Sequence, residues 1–373
     1  MWYNIIIETK GKDMKKNIIV SIIIATAIIT VCIMVFLKQK SGNNNLITND
    51  VNVIPTLLDD TSGDTVWCAT FQLVWNDMQN DVVKQDIIFN PQIDVVKNLN
   101  KQEFTDDMIS DEYYFKAYGL KNLKLKKAIE EGIKDKFNQK SDILNDFGWD
   151  NESLDGNNPN YKRYFFYSML YREFEYKYKF NKLDPASFGK YENVKYFGIS
   201  NNTNDKVRNQ VTILFYNNSD DFALSISTKN GDEIIFNKNP KGNTFKEIYN
   251  NIENERKNFK GDRKLSKEDK FKAPYITFNV KKEFKELEDK SFLASDGERC
   301  IIEKAIQSIK FKMDEKGGKV KSEAGIEMFK ITSGEAQNYR NLEVNDTFAL
   351  FLKEEKRNIP YFATKVENIT KYQ

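Results

Sequence analysis

The sequence predicts an α+β protein, a multi-sheet body with helices preceded by one N-terminal transmembrane helix. Two observations in the body predict the first part. Apolar residues alternate with polar ones in several separate segments, the period of a half-buried strand. Helical stripes fall between some of these segments but not in regular strand–helix alternation, which argues against a βαβ fold. The third observation is an uncharged run of 21 residues at 17–37, long enough to cross a hydrocarbon core.

Lys15 and Lys16 precede that run, with Lys10 and Lys12 further out, while Lys38 and Lys40 follow it. The slight excess on the N-terminal side favours a cytoplasmic N-terminus (residues 1–16) and a body outside the cytoplasm. Met14 followed by two lysines also reads as a translation start, which would leave 1–13 outside the natural protein. A cleavable signal peptide is the alternative, although such peptides have a shorter apolar core and a small-x-small site behind it. Residues 38–64, rich in Asn, Asp, Ser and Thr, read as a polar stalk, and 65–370 as the folded domain.

In the body, Trp67, Phe71, Val74 and Met78 form one apolar stripe, predicting a helix over 66–78 capped by Asp64 or Thr65. Leu125, Ile129, Ile133 and Phe137 predict a second helix over 120–137. Residues 86–91 form a short apolar run stopped by Pro91. From Tyr171 the period becomes two, with Phe174, Tyr176, Tyr178 and Phe180 on one face and Glu175, Lys177 and Lys179 on the other. Because rings and lysines face opposite ways, this is a sheet strand and not a nucleic-acid platform. Further strands are predicted at 211–216, 222–227, 233–236, 273–280, 347–352 and 361–366. Helices are predicted at 244–258 and 281–288.

Composition narrows function. The chain has no histidine, which removes Ser-His-Asp and Cys-His nucleophilic machinery and imidazole zinc sites. Carboxylate pairs remain, but 55 acidic residues guarantee chance pairs, and the chain is read as a non-enzyme. A net charge of +2 with no Lys/Arg block leaves no nucleic-acid arm. No cofactor is implied. Residues 151–156 open like a calcium loop, yet the twelfth position is Lys162, which cannot chelate. Gly317-Gly318-Lys319 lacks the rest of a phosphate loop. Cys32 lies inside the apolar run, so only Cys68 and Cys300 could pair in the body; two free thiols are the alternative.

Several segments, in order, resemble the serpin family in a divergent bacterial form. Ser168-Met169-Leu170-Tyr171, with Phe180 beyond it, is similar to that family's Asn-Ala-x-Tyr-Phe strand, and Tyr176 stands where tryptophan is usual. Residues 184–188 resemble its Asp-Pro…Thr…Phe, and 273–292 its Pro-Lys-Phe strand, short helix and phenylalanine. Residues 305–318 resemble the strand entering the bait loop, while 347–351 and 361–368 resemble the closing strand pair. Upstream, 87–91 is similar to Val-Phe-Phe-Ser-Pro, with Asn90 where the family has serine.

The resemblance implies a suicide inhibitor of extracellular serine or cysteine proteases, whose cleaved loop enters the main sheet as a new strand. The hinge would comprise Glu315, Gly317, Gly318, Val320, Ser322 and Ala324. The last four face inward on a period of two, while Lys319, Lys321 and Glu323 face water. The family's usual span places the bait bond among Phe329, Lys330, Ile331 and Thr332; the longer loop leaves a slip toward Tyr339-Arg340 open. A long exposed loop with no bait role, on a non-inhibitory binding or scaffold domain, is the alternative.

Overall fold

Period-two segments become strands, and they sort by which face is covered. The computed structural model describes residues 50–149, 162–200, 203–318 and 339–373. In chain order come β1 (Asn52–Ile54), β2 (Thr65–Cys68), α1 (Thr70–Asp77), α2 (Asp94–Asn100), β3 (Tyr114–Leu120), α3 (Leu123–Phe137) and β4 (Tyr164–Leu170). Then follow β5 (Phe174–Glu175), β6 (Asn181–Phe188), β7 (Tyr191–Ile199), α4 (Asp205–Arg208), β8 (Val211–Asn218), β9 (Asp221–Ser227), β10 (Asp232–Lys238) and α5 (Phe245–Asn258). The last third holds β11 (Lys270–Pro274), β12 (Ile276–Glu283), β13 (Ser291–Leu293), β14 (Arg299–Ile301), β15 (Ile306–Met313), β16 (Gly317–Gly318), β17 (Asn341–Glu343), β18 (Phe348–Glu354) and β19 (Phe362–Val366).

The largest sheet has seven strands in the order β1-β2-β19-β18-β10-β9-β8. Its centre is buried on both faces, so β10 and β18 are buried along their whole length. A second sheet has the order β17-β11-β7-β6. The remaining strands are paired only in twos, β3 with β4, β12 with β15, β13 with β14 and β5 with β16.

The pair β12–β15 shows how alternation places it. Ile276, Phe278 and Val280 share a face with Ile309, Phe311 and Met313 in the antiparallel register. That face stacks on the seven-stranded sheet, where Phe311 lies 4.8 Å and Phe278 6.4 Å from the ring of Phe362. The opposite face carries Lys281, Lys310 and Lys312. On β4, Phe165 and Tyr167 face α3 instead and form a second apolar cluster with Ile129, Ile133, Leu144 and Trp149. Asn122 caps α3 by accepting from Leu125 N at 2.8 Å, and Asn138 ends it in the left-handed conformation (φ 53). Thr244 caps α5 by accepting from Glu247 N at 3.1 Å.

Four sequence expectations are corrected. The helix predicted over 66–78 begins only at Thr70, because Thr65–Cys68 is a strand inserted between β1 and β19. A fully buried central strand has no polar face, so its pattern reads equally as helix. The helix predicted over 281–288 is the end of β12 followed by a 3-10 turn, Lys285–Leu287. The alternating face from Phe174 breaks at Tyr178, which is 44% exposed while Phe174, Tyr176 and Phe180 are buried. Of the stretch 38–64 expected as a stalk, residues 50–64 pack into the body: β1 pairs with β2, Leu57 is buried, and Asp64 Oδ1 accepts from Glu367 N and Asn368 N. The apolar run 17–37 lies outside the described residues. Among those described, no helix is long and apolar enough to cross a membrane.

Candidate functional site

The two-stranded pairs β3–β4 and β12–β15 face each other across a slot. β4 and β15 each have a partner on one side only. They run in the same direction, because Arg163, just before β4, pairs with Glu303, just before β15, at 3.1 Å. At the other end the ring of Phe174 stacks on Phe311 at 6.3 Å. Two strand edges side by side with no ladder between them present open backbone donors and acceptors to whatever enters.

The chain leaving β15 turns straight back into this slot. Asp314 N donates to Gly317 O at 2.9 Å and Gly317 N to Asp314 O at 3.3 Å, closing a tight turn. Gly317 and Gly318 then pair antiparallel with Glu175 and Phe174. Only glycine fits. Gly317 has φ +134, and a Cβ there would clash with the Phe174 carbonyl. A Cβ on Gly318 would come within 2.7 Å of both the Lys312 carbonyl and the Phe174 ring.

Glu315, within the turn, fixes the turn to the body. Its backbone carbonyl accepts from Phe180 N at 2.9 Å, and that of Lys316 accepts from Tyr176 N at 3.1 Å. Its buried carboxylate accepts from the Tyr275 hydroxyl at 2.6 Å, with Lys179 and Lys182 at 3.6 and 3.9 Å. Burial pushes this carboxyl up, but the Tyr275 hydroxyl and the two lysines outweigh it and hold it below the usual range. Underneath lies an aromatic floor of Phe174, Tyr176, Phe180, Phe197 and Phe271, with Tyr176 and Phe180 at 4.9 Å. Behind it, Arg172 clamps the chain between β4 and β5. Its Nε donates to the buried Asp232 at 2.9 Å and its guanidinium lies 3.7 Å from the Tyr113 ring centre.

The far side of the loop is held as firmly. Arg340 donates to Asp269 through Nε and Nη2, the latter at 2.6 Å, and to the Asp262 and Lys264 carbonyls at 2.6 and 2.7 Å. Burial raises the Asp269 carboxyl, yet these bonds and the Arg340 charge hold it below its ordinary value. Arg340 is thus a structural anchor, and a bait bond at Tyr339-Arg340 is not compatible with that grip.

Of the hinge residues read from the sequence, Glu315, Gly317 and Gly318 meet at the mouth of the slot. Val320, Ser322 and Ala324, and the bait residues Phe329, Lys330, Ile331 and Thr332, lie outside the described residues. Cys68 and Cys300 are free thiols. The bridge that composition allowed is not formed, since Cys68 is buried in β2 and Cys300 sits on β14 opposite Phe292. Sequence reasoning missed Tyr275, Lys179, Lys182, Arg172 and the Asp269–Arg340 pair. Each comes from a distant element, and no local pattern marks it. Also unmarked were polar atoms buried without a hydrogen-bond partner among the described residues: Ser168 Oγ on β4, Gln307 Oε1 on β15 and the Tyr176 hydroxyl.

No family model matches the chain, and no curated protein matches it. Solved structures with a similar arrangement include Tengpin, a thermophilic serpin in its native state, at 12% identity and TM-score 0.46, covering 84% of this chain and 90% of that one. Serpin48 of the insect Tenebrio molitor, described as a highly specific serpin, gives 12% and 0.37 over 70% and 78% of the two chains. Thyroxine-binding globulin in complex with thyroxine gives 10% and 0.39 over 66% and 64%. These are weak likenesses, and none assigns the chain to a family.

Proposed function

We propose that this chain is a serpin-like inhibitor of extracellular proteases, held at the cell surface by residues 17–37 with its body outside the cytoplasm. One observation carries the reading: the two hinge glycines, Gly317 and Gly318, already sit as a strand at the mouth of a slot whose two edges are unpaired. A loop cut within 319–338 would extend that strand down the slot. Gly318, Val320, Ser322 and Ala324 would then face the core, where small uncharged side chains avoid the cost of burying a lone charge. The new strand would pair with β4 and β15 on its two sides, supplying ladder hydrogen bonds that both edges lack. Phe329 to Thr332 remain the proposed bait residues, Lys330 suiting a trypsin-like protease and Phe329 a chymotrypsin-like one.

The test is a gel. The full-length chain mixed with a panel of serine and cysteine proteases yields an SDS-stable complex with at least one of them. Clean cleavage of the loop by every protease, with no complex, overturns the inhibitory reading.

A second reading, a non-inhibitory binding domain, is favoured by a cavity of about 380 Å³ away from the slot. Leu57, Phe245, Tyr249 and Ile359 give it an apolar wall, and Asp107, Lys246, Lys356 and Arg357 a rim of mixed charge. On that reading, cutting the loop leaves the thermal midpoint unchanged.

A further inference from the structure

A limit in the fold and a limit in the sequence fall on the same residue. β16 pairs with β5 in a fixed register, Gly317 with Glu175 and Gly318 with Phe174. Phe174 is buried, and Arg172, two residues earlier, also points inward, to Asp232 at 2.9 Å. On β4 the odd residues Phe165 and Tyr167 lie under α3, so the even residues share the face of Phe174. The edge of β4 away from β3 is unpaired. Continued one residue for one residue along that edge, the register sets Ser322 beside Leu170 and Ala324 beside Ser168. It then sets Ile326 beside Phe166 and Met328 beside Tyr164, the first residue of β4. The sequence stops at the same place. Gly318, Val320, Ser322, Ala324, Ile326 and Met328 are uncharged, and the next residue of that parity is Lys330.

The receiving face changes character where those residues become large. Lys116, opposite Ser168, meets Asp77 of α1 at 2.7 Å. Below that contact Tyr118 stands opposite Phe166, and Leu120 opposite Tyr164. The rings of Tyr118 and Phe166 stack at 5.5 Å and those of Tyr164 and Phe166 at 6.4 Å. Yet Tyr118, Leu120 and Tyr164 are 43%, 41% and 41% exposed. We infer that this apolar stripe is the seat for Ile326 and Met328 of the cut loop, so that the bond to be cut lies beyond Met328. Apolar side chains directly opposed across a ladder stabilise it, and these two meet rings that nothing in the described body covers. This seating rests on the loop insertion proposed above and involves only the edge of β4, whatever the width of the slot.

The full-length chain, cut once after Lys330, tests the register by cross-linking. In a Cys300→Ser background, Tyr164→Cys with Met328→Cys places thiols on directly opposed residues, about 4.5–5.5 Å apart at Cα and within disulfide reach. Phe166→Cys with Met328→Cys sets them on a diagonal at about 7–8 Å, beyond it. After cutting, the first pair oxidises to at least roughly fivefold the yield of the second. Thermal melts supply the second arm, read as the gain in midpoint of cut over uncut protein, so that effects on the uncut fold cancel. Ile326→Asp shrinks the wild-type gain by at least about 2–4 °C, while Gly325→Asp, on the opposite parity, leaves it. A wild-type gain with equal yields from the two pairs, or with Ile326→Asp gaining as much as wild type, overturns the seating and leaves insertion standing. No wild-type gain and no cross-link from either pair would count against insertion itself and take the seat with it.

Discussion

Gly318 has no room for a side chain. A Cβ would lie 2.7 Å from both the Lys312 carbonyl and the Phe174 ring, with backbone on one side and a buried ring on the other. Gly318→Val therefore expels β16 from its pairing with β5, at a cost of about 1–3 kcal/mol, the usual penalty of overpacking. The check is a lowered thermal midpoint together with faster proteolysis of the loop. Tyr275 acts through charge instead. Tyr275→Phe removes the 2.6 Å bond to Glu315, worth about 1.5–3 kcal/mol to an ionised acceptor. Glu315 has its folded-state affinity for protons depressed, so its stabilising contribution is present above the ordinary carboxylate range and is lost as pH falls through the lowered value. Thermal melts of wild type and Tyr275→Phe should therefore be separated above the ordinary carboxylate range and converge as pH falls through the lowered value. A gap that stays constant with pH would contradict the anchor.

At the scale of elements, legibility followed the turns. The short apolar runs 222–227, 233–236 and 361–366 are buried on both faces, yet the turn residues that bound them marked them as strands within a residue or two of β9, β10 and β19. The helix read at 244–258 matches α5 to within a residue, and the structure shows Thr244 as its cap. The failures have one physical cause each. Val66-Trp67-Cys68 is buried between two strands, so no polar alternation marks it. Tyr178 falls in the excursion after β5, where Gln210 bonds its backbone on both sides at 2.9 and 2.7 Å and pulls it out of the alternating line. The candidate site was half legible: glycines and the acidic turn are local, but Tyr275, Asp269 and Arg172 become neighbours only through the fold. The short strand β5 gives the prediction at this scale. Phe174 is buried and stacks on Phe311, so Phe174→Ala opens a cavity costing about 3–5 kcal/mol. It should also raise hydrogen exchange at 314–318 more than in the seven-stranded sheet. Uniform loss across the molecule would show that β5 has no special hold on the turn.

Over the whole molecule, a stable seven-stranded sheet backs a main layer left in two halves, and the loop is tethered at both ends of its excursion by buried carboxylates. Glu315 holds the outgoing end at the mouth of the slot, and Asp269 holds the returning end through Arg340. On the function proposed above, the gap between the two halves is filled by the chain's own loop once that loop is cut. Thermal unfolding before and after a single cut within 319–338 measures this directly. A strand that enters the slot should raise the midpoint by at least about 10 °C, the shift that several kcal/mol produce in a domain of this size. A midpoint unchanged or lowered by the cut would contradict insertion.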